Sequence, residues 1–407
     1  MKAEFAPALR CPVCHSDGAL ELSVTARDER EVREGTLRCR VCASEFPVQR
    51  GVPELLHAPP EHVQAEAAGL ERFADRMRAL GWDREMVRSL PHHNSGYWYV
   101  QWRSLYQLLS SIRFAADRTI VDVGSNTCWA ANQFAQNGLR AIALDIATAE
   151  LQGLYTADYF IEDGEVYFER VLGSMDTMPL ASASVDYVFC CEVLHHNDPV
   201  GLRRTFTEAF RVLRPGGRLL VVNETLKTLR DPDGVHTVGV APFEGYEHAY
   251  WAWQYRWEAT RAGFYTEVME PHYRSFFGDD AVVSDPGDGR WRAAAARLGT
   301  RLQSSGAARR AYLAWLNHVW GGVSLNLVAT KPYRLVGGSE RAGPTRRVAS
   351  MLAAGAAMQI ARAARRPTAG RRLPRTPKQA ARQAAQFRSA GQQSDEPVGE
   401  LESSSQR

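Results

Sequence analysis

The chain has 407 residues, a net charge of +3 at pH 7, 23% charged and 45% hydrophobic residues, which is enough to bury one full α/β core with accessories. Its near-balanced charge excludes a polyelectrolyte, and the lack of any run of about 20 apolar residues excludes a bilayer-spanning helix. The start, MKAEFAPALRCPVC, has no signal-peptide apolar run, so the expected compartment is the cytoplasm.

Residues 1–57 read as a first unit built on CPVC (Cys11, Cys14) and CRVC (Cys39, Cys42). Two CxxC pairs on separate turns bring four thiolates to the corners of a tetrahedron, which suits zinc and lets a small unit fold with little core. Four sulfur ligands leave no open position for water, so the zinc is expected to be structural. The segment EFPVQRGVPELL, Glu45 to Leu56, reads as a strand pair turning at Arg50-Gly51, and with the paired cysteines it resembles a zinc ribbon. The other three cysteines lie in apolar segments and imply no disulfide framework.

Residues 58–117 read as a polar helical linker or cap, broken at LPHHNSG and followed by the aromatic run YWYVQW, Tyr97 to Trp102, which either folds over a ligand or packs. From 118 to 334 the pattern is that of an α/β domain. RTIVDVGSNTCWAANQFAQNG supplies a buried strand, a tight loop and a helix; LRAIALDI a second strand ending in Asp145; VYFERVLGSMDTMPL a third followed by Asp176. SVDYVFCCEVLHHND gives a fourth and RLLVVNE a fifth, preceded by a helix with the apolar stripe Leu202, Phe206, Ala209, Phe210 and Leu213 that RPGG stops. The expected fold is a doubly wound, mostly parallel sheet. Residues 335–407 shift to Arg, Ala, Gln, Ser, Gly and Pro, the composition of a basic, disordered tail.

In an open parallel sheet, ligands bind beyond the carboxyl ends of the strands. Gly124, Ser125 and Asn126 leave the first strand, and Asp145 ends the second about 20 residues later, where a carboxylate accepts hydrogen bonds from both ribose hydroxyls. A nicotinamide cofactor would need glycines that let the backbone approach its pyrophosphate, and Gly-Ser-Asn-Thr-Cys-Trp does not supply them. A nucleoside without phosphates asks less of the turn.

These motifs resemble the class I S-adenosylmethionine-dependent methyltransferases over roughly Tyr97 to Pro332, with VDVGSNTCW as the first motif, ALDI as the acidic second and RVLRPGGRLLVVNE ending in the fifth strand. VSLNLVATKP resembles that family's antiparallel last strand. The resemblance implies a Rossmann-like seven-stranded sheet and S-adenosylmethionine as cofactor. Asp122, Gly124, Ser125 and Asn126 would shape the pocket for the methionine part, and Asp145 would bind the ribose. Asp176 would receive the adenine amino group beside Met175 and Thr177, and Cys191 would border the cofactor. Two family glycines align with Asn126 and Cys128; Asn tolerates a left-handed backbone and Cys is small, so the loop keeps its course. The first 57 residues are similar to the small zinc-ribbon activating partner of tRNA and translation-factor methyltransferases.

Methyl transfer depends mainly on holding acceptor and donor in line, and a hydroxyl acceptor gains from a base. His195 and His196 follow the fourth strand and are the catalytic candidates; the alternative is that one packs and the other caps. Tyr246, Tyr250, Trp253 and Trp257 fall at helical spacing, with His248 and Trp251 adjacent, and either roof an acceptor site or pack on the sheet. The expected function is methylation of a small-molecule, glycan or natural-product acceptor. An rRNA or tRNA acceptor ranks second, because the core shows no basic stripe interleaved with aromatics. A non-catalytic scaffold is the third possibility. A protein partner would dock on the zinc ribbon or the basic tail.

Overall fold

Near-continuous apolar runs build the central sheet of the computed structural model, which describes residues 1–91, 105, 111–162, 166–230, 232, 248–269, 311, 314–320 and 324–333. The chain divides into two units, Met1–Ala354 and Gly355–Arg407, and every described residue falls in the first. The tail expected over 335–407 and the aromatic run Tyr97 to Trp102 lie outside the described residues.

The first 57 residues form a four-stranded antiparallel sheet of β1 (Leu20–Arg27), β2 (Val32–Cys39), β3 (Glu45–Gln49) and β4 (Val52–Pro53), in that order. The turn between β3 and β4 is Arg50-Gly51, both with positive φ (48° and 78°), as the sequence suggests. Helices α1 (Glu61–Ala79) and α2 (Arg84–Arg88) follow.

The main sheet holds β5 (Thr119–Val123), β6 (Arg140–Asp145), β7 (Glu169–Leu172), β8 (Val185–Cys191), β9 (Leu213–Glu224), β12 (Tyr265–Met269) and β13 (Leu325–Thr330). A two-stranded parallel pair, β10 (Leu226–Lys227) and β11 (Tyr250–Trp251), lies beside it in sequence. The strand order is β12-β13-β9-β8-β5-β6-β7, with β13 antiparallel to both neighbours and the other strands parallel. The chain runs outward from β5 to β7 and then returns to β8, so the order reverses between β5 and β8. Strands β5 and β8 are buried along almost their whole length, as strands covered on both faces must be.

Helices α3 (Trp129–Gln136), α4 (Asp158–Ile161), α5 (Pro199–Val212) and α6 (Ala252–Ala262) connect these strands. α5 starts cleanly because the Asp198 carboxylate accepts from Gly201 N at 2.6 Å and Pro199 sits in its first turn. Its buried side holds Leu202, Phe206 and Ala209. RPGG does not separate helix from strand as expected: β9 already begins at Leu213 and carries RPGG inside it, with a register shift against β8 between Val185 and Tyr187. Pro215 disfavours helical backbone at Arg214, and Gly216, at φ 82°, lets the strand bulge and continue.

The N-terminal unit is joined to the sheet edge. Glu54 bridges Leu172 in parallel, Leu55 N donates to Leu172 O (2.9 Å), and Leu9 bridges Leu180. Beneath this seam lies Arg170, with a side chain 0% exposed. It donates to Glu31 and, at 2.8 Å, to Asp158, while Arg33 reaches Glu31 at 2.7 Å and Arg50 reaches Asp158 at 2.9 Å. Burial opposes charge on Glu31, but the Arg170 guanidinium together with the Met1 ammonium, 2.9 Å from Oε2, outweighs it and holds the carboxyl at about 2.

Candidate functional site

At the carboxyl end of β5 the chain turns three times through left-handed backbone: Gly124 at φ 67°, Asn126 at 45° and Cys128 at 58°. The backbone asked of the two aligned positions is therefore kept without glycine. Gly124 itself cannot be replaced so easily, since a Cβ there would lie 2.2 Å from Val193 Cγ2. The loop is braced from below by Asp122, whose Oδ2 accepts from Ser125 Oγ (2.8 Å) and Ala131 N (3.1 Å). At the end of the neighbouring β6, Asp145 Oδ2 accepts from Asn126 N at 2.8 Å and Oδ1 from Ala147 N at 3.0 Å.

Burial pushes the Asp122 carboxyl up to about 7 and the Asp145 carboxyl up to about 6, in the second case against the pull of the Asn126, Ala147 and Ile146 amides. Both carboxyls near these strand tips thus carry charge only against the cost of burial. Beside them, Asn126 Oδ1 and Thr127 Oγ1 are buried with no hydrogen-bond partner among the described residues. Unpaired buried polar atoms at the switch point of a parallel sheet fit a polar ligand seated there. Thr127 was not singled out in the sequence, because a Thr in a loop carries no signal of its burial.

Of the remaining expected cofactor residues, Met175, Asp176 and Thr177 form one short turn after β7. Asn197 Nδ2 donates to Met175 Sδ at 3.3 Å, which ties this turn to the one after β8. Asp176 Oδ1 accepts from Ser174 Oγ at 2.6 Å, Arg204 lies 3.8 Å from Oδ2, and Asp176 and Thr177 line a cavity of about 200 Å³ with Arg10, Cys11 and His15. Cys191 ends β8, its thiol pushed far up by burial and by nearby Glu192.

The two histidines differ. His195 is 8% exposed, and its Nδ1 lies 3.1 Å from Glu224 Oε2. Glu224, fully buried at the end of β9, also accepts from Val193 N (2.9 Å) and Leu194 N (2.8 Å) through Oε1. Burial opposes its charge, but His195 and these amides outweigh that and keep its carboxyl below the usual range. His196 is more open; its Nδ1 lies 3.0 Å from Glu66 Oε1 on α1, and its ring centroid is 4.3 Å from that of His195. Glu66 was missed in the sequence, although it stands three residues after Val63 on the buried stripe of α1.

The aromatic segment after β9 is split. Tyr246 lies outside the described residues, and α6 begins only at Ala252. His248 N donates to His195 O (2.7 Å) and Tyr250 Oη to Asn197 O (2.6 Å), so these two cover the histidine turn. Trp253 and Trp257, 55% and 48% exposed, face away from the core, whereas Tyr255 is buried. A single aromatic face is therefore not formed, because the helix starts after the first aromatics.

Cys11, Cys14, Cys39 and Cys42 come together with all four sulfurs within 4.8 Å of one another. The Cys11–Cys42 and Cys14–Cys39 sulfur distances are 3.6 and 3.5 Å. Tetrahedral Zn–S bonds of about 2.3 Å separate sulfurs by about 3.8 Å, so the set fits such an ion. The two loops repeat one device: Cys14 Sγ lies 3.4 Å from Ser16 Oγ and Cys42 Sγ 3.3 Å from Ser44 Oγ, with His15 and Ala43 at φ 59° and 62°.

Residues 121–221 match the family described as a methyltransferase domain. The chain is 31% identical over 125 residues to the malonyl-[acyl-carrier protein] O-methyltransferase of Hahella chejuensis, covering 30% of this chain and 42% of that protein. It is 34% identical over 116 residues to the biotin biosynthesis bifunctional protein BioHC of Cellvibrio japonicus, covering 28% of this chain and 22% of that one. The chain thus spans less than half the length of these curated relatives. Among solved structures, the complex between the Haloferax volcanii Trm112 methyltransferase activator and a methyltransferase aligns with 66% of this chain and 98% of that one, at 15% identity and a TM-score of 0.41.

Proposed function

We propose that this chain, which carries a class I S-adenosylmethionine-dependent methyltransferase domain, transfers a methyl group from that cofactor to an oxygen of a small, non-nucleic-acid acceptor. The observation that carries the cofactor assignment is the triple left-handed turn at Gly124, Asn126 and Cys128 held by Asp145, with Asn126 Oδ1 and Thr127 Oγ1 left unpaired beside it. Asp145 would accept from the ribose hydroxyls, the Gly124–Asn126 loop would hold the methionine part, and the Met175–Thr177 turn would border the adenine with Cys191 opposite. The cofactor supplies an electrophilic methyl carbon on a sulfonium; the chain's part is to bind it, exclude water and align the acceptor.

An oxygen acceptor is favoured because a relative is named for O-methylation of a carrier-bound acid, and because two histidines follow the carboxyl end of β8. The four cysteines would hold zinc in a structural role. Such a protein works in the cytoplasm, in keeping with there being no helix among the described residues long and apolar enough to cross a membrane.

Calorimetry with S-adenosylhomocysteine is the first test. Micromolar binding is expected, weakened at least tenfold in Asp145→Ala; heat indistinguishable from dilution would sink the assignment. Methyl-labelled cofactor incubated with acyl carriers, free hydroxy acids and bulk RNA then separates the acceptor classes. Label confined to RNA would overturn the small-acceptor half of the proposal.

A further inference from the structure

The loop that carries Cys11 and Cys14 is closed at its base by an antiparallel bridge between Arg10 and Asp17. Arg10 Nε tightens it by donating to His15 O at 2.9 Å, and Cys11 N donates to Ser16 O at 3.1 Å. Both base residues also reach the α/β domain, and they meet it in one short segment. Arg10 N donates to Pro179 O (3.1 Å), Asp17 Oδ2 accepts from Ser182 N (3.1 Å), and between them Ala181 N donates to Ala8 O (2.8 Å). From α5, Arg211 donates to Met178 O at 2.8 Å and to Leu180 O at 2.7 Å. Each residue from Met178 to Ser182 thus has a backbone group held, Pro179, Ala181 and Ser182 by the N-terminal unit. This segment leaves the Met175–Thr177 turn, and Pro179 packs back on the turn's entry: a Cβ on Gly173 would lie 2.6 Å from Pro179 Cγ. Gly173 N in turn donates to Asp145 O at 2.8 Å. Groups packed without spare space move together, so a displacement of Pro179 reaches Gly173 and the backbone of Asp145.

We propose that Arg10 and Asp17, the base of the first cysteine loop, are positioning residues of the nucleoside site, so that a metal on the four cysteines and a nucleoside on the Met175–Thr177 turn bind with linked affinities. What the turn binds rests on the cofactor assignment above. A tetrahedral ion would fix Cys11 and Cys14, and with them the spacing of Arg10 and Asp17 on either side of the loop. Those two residues hold Pro179 and Ser182, and through them the course of the turn. Linkage between two sites is reciprocal: a metal that favours the nucleoside is itself favoured by the nucleoside, by the same factor.

Zinc affinity of the full-length protein, read at equilibrium against a chromogenic chelator with and without saturating S-adenosylhomocysteine, tests this without a known acceptor. The nucleoside is expected to raise zinc affinity at least threefold. Asp17→Ala removes the acceptor for Ser182 N and leaves the cysteines in place. With zinc bound, it is expected to weaken S-adenosylhomocysteine at least threefold by calorimetry and to abolish the gain in zinc affinity. Asp17→Asn, which keeps an acceptor oxygen, is expected to restore both. If Asp17 served only the stability of the loop, Asp17→Ala would lower zinc affinity equally with and without the nucleoside, and the proposal would be wrong. Zinc affinity in wild type indifferent to bound S-adenosylhomocysteine would overturn it too, as would protein that takes up no zinc. Should Asp17→Ala not fold, Asp17→Glu, which moves the acceptor by one methylene, serves the same comparison. If calorimetry shows binding but zinc affinity does not respond, this inference falls while the cofactor assignment stands. If wild type shows no binding, the cofactor assignment falls and takes the linkage with it.

Discussion

Asp122 is the residue on which the site loop leans, and it is buried with Ser125 Oγ and Ala131 N donating to it. A carboxyl whose folded value is raised to about 7 contributes stability that is complete below its unfolded value of about 4 and is lost as pH rises through about 7. The cofactor-free protein is therefore expected to lose on the order of 2 kcal/mol from this group between pH 5 and 8. Asp145 and Glu169, raised to about 6 and about 7 by burial, act in the same direction. In Asp122→Asn, urea titrations at pH 5 and 8 should differ by at least about 1 kcal/mol less than in wild type. An unchanged difference would mean that Asp122 stays charged throughout. At this scale the sequence was informative where backbone chemistry decides: Asn and Cys stand where glycine is usual, and both take the left-handed turn. It was silent on which polar side chains end up unpaired, because that depends on neighbours far away along the chain.

Elements were legible where one periodicity dominates. The strands ending in Asp145, Cys191 and Glu224 stand out as apolar runs, and α5 as an apolar stripe after an Asp-Pro start. The aromatic segment misled because aromatics at helical spacing look the same whether the helix has begun or not; Tyr250 belongs to a short strand and only Trp253 onward to α6. The turn between β8 and α5 is braced from inside by Glu224, whose carboxylate reaches across from β9 to three amides and an imidazole. Truncation in Glu224→Ala removes the carboxylate that faces a buried imidazole and three buried amides. The expected cost is about 3–5 kcal/mol, measured by urea denaturation, with a smaller loss in Glu224→Gln, which keeps one acceptor oxygen. A loss below about 1 kcal/mol in Glu224→Ala would show that the turn holds without it.

The molecule as a whole depends on a seam that the sequence hid. Arg170 sits in β7 between Glu169 and Val171, and nothing local in VYFERVLG tells that its guanidinium will be enclosed between Glu31 of the N-terminal unit and Asp158 of the α/β domain. The N-terminal unit packs Phe5, Leu9, Leu37, Phe46, Val48 and Leu55 into the same core as the sheet, its two cysteine loops meet in the four-cysteine cluster, and its end covers the β7 edge through Leu55 N and Leu172 O. Metal removal should then act on the main domain as well. Once the cysteine loops loosen, the edge of β7 presents unpaired backbone groups and Arg170 loses Glu31, which leaves charge buried without a partner. Stripping with a thiol-compatible chelator is expected to lower the melting temperature by at least about 4 °C, since about 1 kcal/mol moves a domain of this size by about 2–4 °C, and to promote aggregation on heating. Arg170→Ala should reproduce much of that loss with the metal in place, and chelation of Arg170→Ala should add less than it does to wild type, because both changes break the same seam. Full additivity of the two losses would show instead that the cysteine cluster and the buried arginine stabilise separate parts of the protein.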